Sequence, residues 1–347
     1  MDHERLDYLK QYLKKKMNDA FPGTCFGIVT RDRVHTDFLG KAQIVPSVKE
    51  MKIDTIFDLA SLTKVIATVT SIMILLGNGE LRLSERVKAI LPDFKYENIT
   101  ILHLLTHTSG LPADVKFYKF CNSREEVIDR LYDVSPIYKP GEKVIYSDLG
   151  FMLLGLVIEK LAEPVDRFAS KHIFLPLEMS DTCYNPPAEK MARCAATEYQ
   201  ESRGVIVGKV HDGNAYAMGG ASGHAGLFST APDLCNFMSM ILNEGYFQGR
   251  KILSLRSIEL MNRCYTDGLN ERRGLGWQLK TFGDSIGELV GDNAMYHTGF
   301  TGTSMLIDRE RGFGFVLLTN RVHPTRDNDK LLNYRGHINN IATTVIG

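Results

Sequence analysis

Apolar residues recur three and four apart at Leu6, Leu9, Leu13 and Met17, then halt at Phe21-Pro22-Gly23, which predicts an amphipathic helix over residues 4–19. Cys25 to Thr30 and Val34 to Leu39 read as two strands joined by the tight turn Arg31-Asp32-Arg33. A long apolar stretch over 57–76, ended by Gly77-Asn78-Gly79, predicts a buried helix. Shorter helical patterns follow at 84–91 and 100–106, and a strongly apolar one at 149–162. Between about 176 and 226 the chain is rich in Gly, Pro and Asn and shows little periodicity. Thr230-Ala231-Pro232-Asp233 has the form of a capping box and opens a helix through Leu242. Strand-like runs return at 276–280, 303–307 and 313–319, and the chain closes on an apolar helix at 338–346.

Strands therefore cluster toward the two ends, with helices and loops between them. This predicts an α+β fold: an antiparallel sheet flanked by helices, built from residues 1–76 and 230–347, with 77–229 inserted as a mostly helical domain. A length of 347 residues is ample for such a composite core. No internal repeat or low-complexity tract is present.

Composition narrows the function. Forty-one basic residues balance forty-one acidic ones, so the basic excess of a nucleic-acid binder is missing. The Lys14-Lys15-Lys16 cluster reads as a solvated helix face. No run approaches the roughly 18 apolar residues of a membrane helix. The start, Met1-Asp2-His3-Glu4-Arg5, is not that of a secretory signal. Six scattered cysteines, none in a C-x-x-C pair, read as reduced thiols rather than a disulfide framework or zinc cluster. The expectation is a cytoplasmic protein with no membrane or nucleic-acid partner and no metal.

Three segments carry candidate chemistry. Ser61 and Lys64 in Ser61-Leu62-Thr63-Lys64 lie one helical turn apart, hence on one face. Ser61 falls in a first helical turn, where unpaired N–H groups and the dipole favour developing negative charge. A desolvated lysine can serve as the base a serine hydroxyl needs. Tyr146 and Asp148 follow at a loop–helix junction, and His297-Thr298-Gly299 precedes a strand in a Gly-containing edge that offers N–H donors. Each also has a plain structural explanation: an N-cap serine with a surface lysine, an N-cap aspartate, a glycine-rich turn with a structural histidine.

Taken together, in this order and spacing, Ser61-x-x-Lys64, Tyr146-x-Asp148 and His297-Thr298-Gly299 resemble the class C β-lactamase, penicillin-binding-protein and esterase superfamily of S-x-x-K serine hydrolases. Leu104-Leu105-Thr106-His107-Thr108-Ser109-Gly110-Leu111 and the stretch Gly219 to Thr230 are similar to that family's sequences too. The resemblance runs from about residue 20 to the C-terminus. It implies a β-lactamase/transpeptidase-like fold with the active site in a cleft between the sheet-plus-helices and helical domains. It further implies Ser61 as nucleophile, Lys64 and Tyr146 as the proton-moving groups, the backbone N–H groups of Ser61 and Phe300 as the oxyanion hole, and Asp148, His297, Thr298 and Gly299 as substrate-binding residues. No organic cofactor is implied.

Two positions depart from the β-lactamase motifs, which usually carry Asn where this chain has Asp148 and Lys where it has His297. An aspartate beside Lys64 would hold it as an ammonium, which transfers the role of base to Tyr146. A histidine is mostly neutral at pH 7 and grips a substrate carboxylate less well than lysine. The expected activity is therefore hydrolysis of an ester or amide through an acyl-enzyme, on a small ester or cell-wall-derived peptide. β-Lactamase or D-alanyl carboxypeptidase activity is the alternative within the class. A protein that is acylated once by a β-lactam or muropeptide and stops is the alternative outside it. Gly220-x-x-Gly223-x-x-Gly226 lacks the order and lysine of a phosphate loop, and His103 and His107 lack the Glu of a zinc helix. His211 and His224 border the expected cleft. The sequence sets no oligomeric state.

Overall fold

Strands from the two ends of the chain meet in one seven-stranded antiparallel sheet. Its order across the sheet is Gln278–Leu279, Met295–Thr298, Ser304–Asp308, Phe313–Thr319, Gly23–Thr30, Val34–Gln43 and Lys49–Glu50. The computed structural model describes residues 1–281 and 283–347. Because successive side chains of a strand point to opposite faces, both faces of the sheet can be covered. Cys25 and Val29 pack with Val316 and Leu318 on one face; Phe26 and Ile28 pack with Phe313, Phe315 and Leu317 on the other.

The second face is covered by the two terminal helices, His3–Lys16 and Arg335–Thr343, through Leu6, Leu9, Leu13, Ile338 and Ala342. The first face carries the helix Ala231–Leu242 and, beyond it, the helices from the middle of the chain. Leu62 to Leu75, Leu149 to Ile158 and Leu234 to Leu242 contribute to one continuous apolar cluster, so a single core runs from the sheet to the central helices. Among the described residues, no helix is long and apolar enough to cross a membrane.

Three local expectations are corrected. The helix foreseen over 57–76 begins later: Phe57–Asp58 is a strand paired with Leu227–Ser229, and the helical segments run Lys64–Val69, as a π turn, and Thr70–Gly77. A short apolar run bounded by a turn has no period that separates strand from helix. The region 176–226 holds more regular structure than its composition suggests: a hairpin of Ala196–Gln200 with Gly204–Val207, and Cys183–Tyr184 as a third strand beside Leu227–Ser229. The capping box at Thr230 is only half made. Thr230 accepts from Asp233 N–H, but the Asp233 carboxylate turns away to accept from Asp181 N–H at 2.9 Å and Thr182 Oγ1 at 2.8 Å.

One close contact joins the central helices to the loop that precedes Leu227–Ser229. Gly155, in the helix Asp148–Leu161, meets Gly223 backbone to backbone, and a Cβ on Gly155 would stand 2.8 Å from the Gly223 nitrogen. A Cβ on Gly223 would overlap the Phe151 carbonyl. That approach lets the Gly223 carbonyl accept from Thr68 Oγ1 at 2.6 Å. Gly223→Ala is expected to cost about 2–3 kcal/mol by overpacking. It should lower the urea midpoint with an unchanged slope; an unchanged midpoint would show that the contact is not tight.

Candidate active site

Ser61 stands where the short strand Phe57–Asp58 turns into a helix. Ala60 occupies the left-handed region at φ 46°, which a non-glycine residue adopts only under constraint. The constraint is Asp58. This carboxylate, 3% exposed, accepts from Ala60 N–H at 2.8 Å and from His211 N–H at 2.7 Å. Burial pushes its carboxyl above the usual range, against the pull of those two N–H groups. The first helical bonds, Lys64 N–H to Ser61 carbonyl among them, span three residues and make a tight start. Thr63 Oγ1 ties this turn down by donating to the Ala60 carbonyl and accepting from Leu227 N–H.

Lys64 is fully buried, and its ammonium has three hydrogens to place. Three oxygens surround it: Ser61 Oγ at 2.8 Å, the His224 carbonyl at 3.0 Å and Asp148 Oδ1 at 2.6 Å. Burial alone would lower its pKa. Asp148, and after it Tyr146, outweigh burial, so Lys64 stands above its ordinary value. At neutral pH it is a cation that donates toward Ser61 Oγ.

Asp148 and Tyr146 come from the junction that opens the helix Asp148–Leu161. Ser147 caps this helix, its Oγ accepting from Gly150 N–H and donating to the Pro112 carbonyl. The Tyr146 ring centroid lies 5.1 Å from Lys64 Nζ, 4.5 Å from the His107 ring and 5.9 Å from the His297 ring.

His297 lies on the strand Met295–Thr298 and is 3% exposed. Its Nδ1 donates to the Thr298 carbonyl at 2.9 Å, which leaves Nε2 as a buried acceptor. Burial, then Lys64 and Arg273, hold the imidazole well below its ordinary value. It is therefore a neutral, buried imidazole beside Tyr146. Gly299 packs against the Leu59 carbonyl, and its N–H closes on the Thr303 carbonyl. Phe300 reaches the cavity. Among the described residues, neither Ser61 N–H nor Phe300 N–H donates to a protein acceptor, which leaves both available to an oxyanion.

Ser61 opens onto a cavity of about 780 Å³. His211 and His224 both line it. His224 is held in a buried chain, Nδ1 against Ser222 Oγ at 2.9 Å and Nε2 against Asp212 Oδ1 at 2.8 Å, and this fixes the carbonyl that receives Lys64. The His211 ring stacks on Phe300 at 5.7 Å, and its Nε2 meets Glu198, which also takes Arg326 in a two-pronged pair at 2.7 and 2.6 Å. Asp58, Asp212, Glu198 and Arg326 were not identified from sequence as site residues. Asp58 sits in the segment leading to Ser61 and Asp212 beside His211, so proximity was a usable signal for both; Glu198 and Arg326 carry none.

A serine hydroxyl beside a buried lysine, a phenol within reach and two free N–H groups at the mouth of a cavity define a serine hydrolase that works through an acyl-enzyme. The chain belongs to the beta-lactamase family, whose family model matches residues 9–339. It is 32% identical to an N-acetylmuramyl-L-alanine amidase of Bacillus subtilis, over 92% of this chain and 82% of that one. It is 29% identical to a putative D-alanyl-D-alanine carboxypeptidase of Escherichia coli, over 94% of this chain and 85% of that one. Among solved structures, EstCE1, a hydrolase with promiscuous acyltransferase activity, superposes with a TM-score of 0.79 at 19% identity, covering 100% of this chain and 99% of that one. The octameric penicillin-binding protein homologue of Pyrococcus abyssi superposes with a TM-score of 0.75 at 22% identity, covering 95% and 76%. These two likenesses establish the shared fold.

Proposed function

We propose that this protein hydrolyses an amide of a cell-wall-derived peptide, with Ser61 as nucleophile, Tyr146 as proximal base and Lys64 as the cation that holds both. The observation that carries this reading is the contact of Lys64 Nζ with Ser61 Oγ and Asp148 at the floor of the cavity. With its pKa raised, Lys64 is a donor rather than a base; in the reacting form Tyr146 Oη carries no proton, takes that of Ser61 as the oxygen attacks, and returns it to the leaving amine. The N–H groups of Ser61 and Phe300 stabilise the oxyanion, each worth roughly 3 kcal/mol.

Substrate class rests on three supports. The cavity is large enough for a peptide with its acyl group. Its wall combines Tyr118, Tyr216 and Phe300 with Lys116, Arg203 and Asn122, a mixture suited to a bulky polar ligand. The Bacillus relative bears the name of a muramyl-peptide amidase. A buried, neutral His297 argues against the carboxylate grip that a D-alanyl carboxypeptidase or β-lactamase needs. Cytoplasmic placement, on recycled peptides, rests on six cysteines that stand as free thiols.

The test is a turnover panel: an N-acetylmuramyl peptide, a small acyl ester, a peptide ending in D-Ala-D-Ala and a penicillin. The muramyl amide is expected to have the highest kcat/KM. Preference for the D-Ala-D-Ala peptide would overturn the substrate assignment. A single acylation without turnover of any substrate would replace an enzyme by a sensor.

A further inference from the structure

His107 touches neither the cavity nor solvent, at 1% exposure, yet it grips the segment that carries Tyr146. Its carbonyl accepts from Ile145 N–H at 2.8 Å, one residue before Tyr146. Its Nδ1 accepts from Ser147 N–H at 3.0 Å, one residue after. Its ring lies against the Tyr146 ring at 4.5 Å and 34°, and against Phe151 at 5.0 Å. To make all these contacts the backbone takes φ 57°, a left-handed conformation that an ordinary side chain avoids. Strain of this kind persists only where the surroundings hold it, and it clusters at functional sites.

The contacts also set the tautomer. Nδ1 accepts a hydrogen bond, so the imidazole proton resides on Nε2, and a second proton on Nδ1 would face the Ser147 N–H. Burial, then Arg273 and Lys64, hold this imidazole well below its ordinary value, so it remains a neutral acceptor.

We infer that His107 is a positioning residue for proton transfer: by accepting from Ser147 N–H and packing on the ring of Tyr146, it sets the phenol where it takes the proton of Ser61. The inference rests on the roles proposed above for Ser61 and Tyr146. Asn carries an acceptor, Oδ1, at the place of Nδ1 and tolerates the left-handed backbone. Gln carries its acceptor one carbon further out.

The experiment compares the parent, His107→Asn and His107→Gln for labelling of Ser61 by a serine-directed phosphonate, and for kcat and KM on the best panel substrate. Near-ultraviolet circular dichroism monitors the fold. His107→Gln is expected to lose about a hundredfold in labelling rate and kcat, the scale of a small misplacement, with KM little changed. His107→Asn is expected to stay within about tenfold of the parent, because it keeps the acceptor. A folded His107→Gln that labels at the parent rate would overturn the inference, as would Asn and Gln variants equally impaired. Should His107→Gln fail to fold, the Asn variant decides: retention of kcat supports the inference and a hundredfold loss in a folded protein overturns it. A parent that does not label at all would overturn the assignment of Ser61, and this inference with it. A labelled parent matched by His107→Gln would overturn this inference alone.

Discussion

Ser61→Ala is expected to abolish the single phosphonate adduct seen by intact mass and to lower kcat by roughly 10⁴-fold or more, the scale on which loss of an enzyme nucleophile acts. Substrate affinity should change little. The cavity wall around Phe300, Tyr118 and Arg203 is untouched, and the turn at Ala60 is held by Asp58 rather than by the Ser61 hydroxyl. Lys64 loses one of three oxygen partners but keeps Asp148 and the His224 carbonyl, so its charge remains compensated and the fold should hold. An alanine variant that still gains one adduct would place the nucleophile elsewhere.

Tyr146→Phe is expected to slow acylation by about 10³-fold, within the range of a positioned general base, with the ring stack on His107 intact. The reason lies in the state of Lys64. A group whose folded pKa is raised contributes stability in full below its unfolded value, about 10.4 for lysine, and loses it as pH rises through the folded value. Throughout the neutral range Lys64 is thus an ammonium and no base for Ser61, so the proton must go to another acceptor, and Tyr146 is the one proposed. Asp148→Asn is the companion variant. It removes the largest influence raising Lys64, so the enzyme should lose stability at neutral pH, and that deficit should shrink as the parent's Lys64 deprotonates in alkali. Rapid acylation by Tyr146→Phe would return the role of base to Lys64.

The parts of this architecture that were legible beforehand are those written in local spacing. The helices Asp148–Leu161 and Ala231–Leu242 and the strand Phe313–Thr319 each follow a run whose period or length is decided within a few residues. Strands of two or three residues, such as Phe57–Asp58 and Cys183–Tyr184, are too short to show a period, and partners distant in the chain define them. Asp233 shows the same limit at one cap: Thr230 bonds as its local pattern suggests, while tertiary partners claim the carboxylate.

By itself the sequence determined that Ser61 and Lys64 share one face of a turn, because three residues of helix bring their side chains together whatever surrounds them. It also set the order of the motifs, and with it the resemblance to a family. Only the tertiary structure decided what those groups are chemically. The charge of Lys64 depends on Asp148 and, after it, Tyr146, both supplied by a distant segment of the chain. The neutrality of His297 follows from its burial near Lys64 and Arg273, and the grip of His107 on Tyr146 joins segments far apart in the chain. Electrostatic energy falls with distance and rises with exclusion of water, and both are properties of the packed interior rather than of neighbouring letters.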